Sequence, residues 1–324
     1  MNLLSNIEGS QINDKSSSNS NVKYRYIDMN IELLLEDFCH YSKYIRGVSP
    51  NTIKRYRQKI GAFYRTSEIT NIEEINEKTV QHYFLKGRAE KKWTTATYRT
   101  YYMSLKVFFR WCVKHEHLER NYTDVIELPK KEKTLPKGLK KQEALRLLEV
   151  VYNYPYTHKY LKYRNHAIFS MFLFSGVRKN ELLHLKLTDV DLENLTLFVR
   201  QGKGNKDRII PISYTLSQSL KRYLLKRQKL RKTCPEFFTS SNRNMGFTES
   251  GLKLVTNQIK KASGLDFTIH KLRHTYATLM LEGGCDIFSL SKMLGHSDIK
   301  TTTIYLSATA EHLRCQMTKH PLNN

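Results

Sequence analysis

The chain has 324 residues, 40% of them hydrophobic and 26% charged, which allows a buried core and excludes wholesale disorder. Its 54 Lys+Arg against 30 Asp+Glu leave a formal charge of +24, interleaved with 20 Tyr and 14 Phe, and this points to nucleic acid as the partner. The longest apolar run, residues 167–177, is about half of what a bilayer span needs. The N-terminal stretch has no apolar leader segment, so a soluble, cytoplasmic chain without a membrane partner is expected.

Residues 1–23 read as a flexible polar arm, with KSSSNS at 15–20. Ile31, Leu34, Leu35, Phe38, Tyr41 and Ile45 then recur at helical spacing up to Gly47. Ser49-Pro50 gives a cap and a first-turn proline for a second helix. That helix has an apolar stripe of Ile53, Tyr56, Ile60 and Phe63 and a basic face with Lys54, Arg55 and Arg57. A shorter helix spans 77–86, and a long one enters through Thr94 or Thr95 with Tyr98, Tyr102, Leu105, Phe109 and Cys112 on one side. These stripes read as core rather than as base-stacking platforms. Residues 24–128 therefore form a helical domain, with Lys54, Arg55, Arg57, Lys91, Lys92 and Arg99 as candidate DNA contacts.

The lysine-rich stretch 129–141, PKKEKTLPKGLKK, reads as a linker. The remaining chain is mixed: helices over 139–152 and 159–174, and a hairpin of 195–199 and 208–212, with a strand near 185–190 as a candidate third member. Helical patterns follow over 214–231 and from 248 onward. The fold class is thus mainly α with a small antiparallel β-sheet. The five cysteines, Cys39, Cys112, Cys234, Cys285 and Cys315, lack metal spacing and read as small buried hydrophobes; neither metal nor cofactor is expected.

Several segments can carry chemistry. Arg178, in SGVRKNEL, opens a helix where backbone N–H groups favour an anion, and Glu181 shares its face and could orient a basic neighbour. Glycines flank Lys203 in the turn QGKGNKD, with Lys206 beside it; without a following Ser/Thr and helix this is no nucleotide-binding loop. His270 and Arg273 are three apart on one helical face and can converge on a phosphate, whereas His274 reads as structural, on another face. His296 follows a glycine at a helix entrance, and Tyr305 follows nine residues later.

Taken in order, SGVRKNELLHLKLTDV, GKGNKDRIIPI, HKLRHTYATLML, LGH and TTTIY resemble the tyrosine recombinase (phage integrase) family, and the block with SPNTIKRY is similar to that family's core-binding domain. The resemblance is to simple two-domain, Xer-like or mobile-element members. It implies a catalytic α+β domain over 142–306 and a terminal segment, 307–324, that docks on a neighbouring protomer. It further implies site-specific cutting and rejoining of DNA through a 3′-phosphotyrosyl link on Tyr305. Arg178, Arg273, His270 and His296 would stabilise the phosphorus transition state, with His270 also relaying the phenolic proton. Lys203 would be the general acid, and Glu181 would tether a basic side chain. The implied partner is double-stranded DNA with paired inverted repeats, bound by a tetramer. A type IB topoisomerase-like enzyme and a non-catalytic DNA-binding accessory protein are the alternatives; the SPNTIKRY block disfavours the first and the filled catalytic positions the second.

Overall fold

The computed structural model describes residues 30–130, 138–200, 207–296, 299–303 and 305. The chain divides into two compact units, Met1–Lys133 and Thr134–Asn324.

The described part of the first unit is helical. Helix α1 (Ile31–Tyr44) is capped by the Asn30 side chain, and α2 (Pro50–Thr66) by Ser49 with Pro50 in its first turn. Helices α3 (Glu77–Ala89) and α4 (Thr95–Lys114) start at Asn76 and Thr94. Their apolar stripes close on an aromatic core in which Phe38 meets Phe108 and Phe63 meets Phe109 edge-on, with centroids 5.4 and 5.9 Å apart. Tyr98, Tyr102 and Phe109 are buried there, so the aromatic stripes are core, as their spacing suggests.

The second unit begins its regular structure with α5 (Lys141–Asn153), two residues later than periodicity predicts. Leu139 is nevertheless fixed: its side chain is buried and its N–H donates to Thr275 Oγ1 at 2.8 Å. The segment just before α5 is therefore part of this unit rather than linker. Central α6 (Lys159–Ser175) packs on α5, α8 (Tyr214–Lys229) and α10 (Ile269–Glu282). It stops at Gly176, whose φ of +61° is left-handed. Arg178 then caps the short helix α7 (Lys179–Leu183).

Strands β1 (Val190–Asp191), β2 (Thr196–Val199) and β3 (Arg208–Pro211) form an antiparallel sheet in that order. The strand predicted near 185–190 shrinks to β1, because Asp189 accepts the Lys186 N–H at 2.9 Å and closes a helical turn over Leu187–Asp189 instead. Val199 pairs with Arg208, so that arginine begins β3 at the strand end nearest Lys203 in sequence. Helices α9 (Glu249–Ser263), α11 (Ile287–Leu294) and α12 (Lys300–Thr303) complete the described elements. A small separate core joins Tyr276, Ala277 and Leu281 of α10 to Leu290 and Leu294 of α11 and to Tyr305.

Among the described residues no helix is long and apolar enough to cross a membrane. Cys39, Cys112 and Cys234 are buried as small hydrophobes, Cys285 is half-buried, and Cys315 lies outside the described residues.

Candidate active site

Helix α11 ends with orphan carbonyls at the negative pole of its backbone dipole. Three arginines from distant parts of the sequence terminate there. Arg208 Nε donates to Met293 O at 2.8 Å, Arg273 Nη2 to Leu294 O at 2.6 Å, and Arg178 Nη2 to Gly295 O at 3.0 Å. Gly295 has φ +64°, and a Cβ there would sit 2.9 Å from Arg208 Cδ, so both the helix stop and the close passage of that arginine depend on its lacking a side chain.

Glu181 ties two of these cations together. One carboxylate oxygen accepts from Arg178 Nη1 at 2.8 Å and Arg208 Nη1 at 2.9 Å; the other accepts from the Arg178 backbone N–H at 2.7 Å and Arg208 Nη2 at 2.8 Å. The side chains of Glu181 and Arg208 are only 6% and 8% exposed. Burial alone would raise the carboxyl's pKa, but the Arg208 hydrogen bonds and charge, aided by Arg178, outweigh it and hold the group at about 2.

Arg273 is buried and also donates through Nη1 to Gly176 O at 2.6 Å. Burial and the nearby Arg178 pull its pKa down to about 10, which leaves it charged at neutral pH. Its Nη2 lies 3.2 Å from His296 Nε2, while His296 Nδ1 is 2.8 Å from Thr302 Oγ1. That pattern fits an imidazole donating from Nδ1 to Thr302 and accepting at Nε2 from the guanidinium.

Tyr305 is 2% exposed, and burial raises its pKa although Arg273 and Arg178 pull the other way. Its hydroxyl is 2.7 Å from Nδ1 of His274, the histidine expected on another face. The expectation fails on helical geometry: residue 274 lies one turn above His270 and only about 40° around the axis. The His270 ring abuts that of His274 edge-on, centroids 4.3 Å apart. Burial and neighbouring cationic side chains lower the pKa of both histidines, that of His274 to about 4.

The fold thus brings Arg178, Glu181, Arg273, His296 and Tyr305 into one region, with His270 at its edge. Lys203 and Lys206 lie outside the described residues. Arg208, His274 and Thr302 are site residues that sequence reasoning missed. Tyr276, the other tyrosine in this region, is packed: its ring covers Gly176, and burial pushes its pKa up to about 12. Among the described residues no three His, Cys, Asp or Glu side chains cluster as a metal site.

In the first unit, Lys54 and Arg55 are exposed on α2, and Arg55 and Arg99 line a common groove with Tyr56 and Met103. Lys91 reaches Thr66 Oγ1 at 3.3 Å, Arg99 donates to Pro129 O at 3.1 Å, and Lys92 is exposed. Arg57 is exposed on the same helix. Its guanidinium makes a two-pronged surface pair with Glu36 of α1, Nε to Oε1 at 2.8 Å, with both side chains 48% exposed.

Guanidiniums fixed on carbonyls near a shielded phenol, in so basic a chain, are the groups that phosphoryl transfer to a tyrosine requires. Residues 137–312 match the phage integrase family, and residues 34–119 match the phage integrase N-terminal SAM-like domain. The chain is 33% identical over 289 residues to tyrosine recombinase XerA of Thermococcus onnurineus, covering 88% of this chain and 95% of that protein. It is also 33% identical over 290 residues to tyrosine recombinase XerD of Listeria monocytogenes, with 87% and 96% covered. Two solved structures share the fold. One is the XerH site-specific recombinase bound to palindromic difH substrate (TM-score 0.68, 23% identity, 88% of this chain and 83% of that one). The other is a lambda integrase dimer bound to a COC′ core site (TM-score 0.67, 20% identity, 90% and 81% covered). The chain belongs to the phage integrase family of tyrosine recombinases.

Proposed function

We propose that this protein is a cytoplasmic site-specific DNA recombinase whose Tyr305 Oη attacks the scissile phosphorus, releases the 5′-oxygen and holds the strand as a 3′-phosphotyrosyl ester. The ester keeps the phosphodiester's free energy, so the reverse attack by a 5′-hydroxyl rejoins DNA without another energy source. What supports this reading is that three arginines converge on the end of α11, the helix whose Leu290 and Leu294 share a small core with Tyr305.

Arg178 and Arg273 present their remaining donors to the non-bridging oxygens, where charge grows in the transition state. Their fixed carbonyl contacts lower the reorganisation needed at that moment. His270 adds a hydrogen bond to the same oxygens, His296 joins it once Nε2 is protonated and turns from acceptor to donor, and Lys203 protonates the departing 5′-oxygen. Glu181 holds Arg178 in register. Lys54, Arg55, Lys91, Lys92, Arg99 and Lys206 contact the DNA backbone, which places the protein without reading sequence. Paired inverted-repeat sites, a tetramer on two duplexes and docking of residues 307–324 on a neighbour complete the proposal.

The test is a nicked suicide substrate whose short 5′ product diffuses away and traps the adduct. Wild type is expected to give a protein-linked strand. Tyr305→Phe is expected to shift the same DNA on a gel and give no adduct, whereas an adduct surviving in that variant removes Tyr305 as the nucleophile.

A further inference from the structure

His274 makes the hydrogen bond to Tyr305 Oη, at 2.7 Å, and that contact has no place in the functional reading above. The contact joins α10 to Tyr305, which is itself buried in the small core with Leu290 and Leu294. His270, one turn earlier, touches the His274 ring edge-on rather than the phenol. A phenol attacking phosphorus must lose its proton as the new bond forms, and the acceptor must already be within hydrogen-bond reach. We infer that His274 Nδ1 is the base that takes the Tyr305 proton during strand cleavage and returns it during rejoining. The inference rests on Tyr305 being the nucleophile.

The step balances. As the Oη–P bond forms, the phenolic proton moves to Nδ1, giving an imidazolium; the P–O5′ bond breaks and the 5′-oxygen takes its proton from Lys203. In rejoining, the 5′-hydroxyl surrenders its proton to the Lys203 amine, the Oη–P bond breaks and His274 reprotonates the phenolate. Burial, His270 and Arg273 all disfavour a cationic His274 in the DNA-free protein, so it waits neutral with a lone pair for the phenol. An anionic phosphate beside Arg273 and Arg178 offsets that repulsion when the proton has to move.

The experiment compares wild type with His274→Asn and His274→Gln, which keep an amide able to hydrogen-bond but cannot take the proton. Single-turnover adduct formation on the suicide substrate is followed at a temperature below all three melting points, with gel shift as the binding control. The expected result is unchanged DNA affinity and an adduct rate lower by about 10²–10³-fold in both variants. A second arm places a fluorinated, more acidic tyrosine at position 305 by site-specific incorporation, which should narrow the gap between His274→Asn and wild type. Variants within about threefold of wild type, or a gap unchanged by the acidic phenol, overturn the inference and leave His274 a packing residue. Absence of any adduct in wild type instead overturns the recombinase reading itself.

Discussion

Replacing Glu181 by glutamine removes the carboxylate that bonds both Arg178 and Arg208 while keeping the shape of the side chain. In the native protein this carboxyl drops from an ordinary 4.5 to about 2. At about 1.4 kcal/mol per pH unit, that is about 3 kcal/mol favouring the ionised form in the folded chain. The figure agrees with the 3–5 kcal/mol typical of breaking a buried ion pair and leaving its partner charged, which here is Arg208. The amide also turns an N–H₂ group toward a guanidinium that needs an acceptor. For a unit of the size of Thr134–Asn324, the loss corresponds to a melting temperature roughly 6–12 °C lower at neutral pH. The pKa is depressed by folding, so this stabilisation is fully present above about pH 4.5 and fades as pH falls toward 2. Denaturant melts of wild type and Glu181→Gln at pH 7, 5, 4 and 3.5 should therefore give a gap that is constant at the upper values and narrows at the lower two. A gap below about 0.5 kcal/mol at pH 7, or one that does not narrow by pH 3.5, refutes the argument that this carboxylate is held by buried charge.

Gly176→Ala should be severely destabilising, by at least about 2 kcal/mol in a denaturant titration, because φ is +61° and the new Cβ would lie 2.3 Å from the Tyr276 ring; a variant of native stability would refute the tight passage. Arg55→Ala should weaken DNA binding and reduce the slope of log affinity against log salt by about 1. Arg57→Ala should leave that slope unchanged, since its guanidinium is already taken by Glu36; anisotropy titrations across salt concentrations distinguish the two.

The helices of the first unit were legible because their signals are local: Ser49 and Thr94 cap the helices whose apolar stripes follow them, and those stripes are the core. Arg178, Glu181, Arg273, His296 and Tyr305 were legible as side-chain types in order. Arg208 was not. Its importance comes from Glu181, 27 positions away, and from the Met293 carbonyl, 85 away, and no local pattern encodes either distance. Backbone acceptors leave no trace in residue type at all, so the use of three successive carbonyls was invisible. The pairing of Arg57 was hidden for a similar reason: a position on the polar face of α2 does not reveal that Glu36 of α1 stands opposite.

The charge balance at the end of α11 explains why a carboxylate and a helix terminus suffice to assemble the site but not to neutralise it. Three guanidiniums meet there. Glu181 supplies one full negative charge and the helix terminus about half of another, leaving about 1.5 positive charges unmatched. A bound phosphodiester carries one negative charge, and nucleophilic attack adds charge at its oxygens. On the reading proposed above, the residual charge would match the attacked phosphorus better than the resting one, which is the condition for lowering the barrier rather than merely binding DNA. Tyr305 packs against Leu290 and Leu294 of that same helix, so α11 positions both the cations and the phenol. A displacement of α11 would disturb them together, which ties the position of the phenol to that of the arginine cluster.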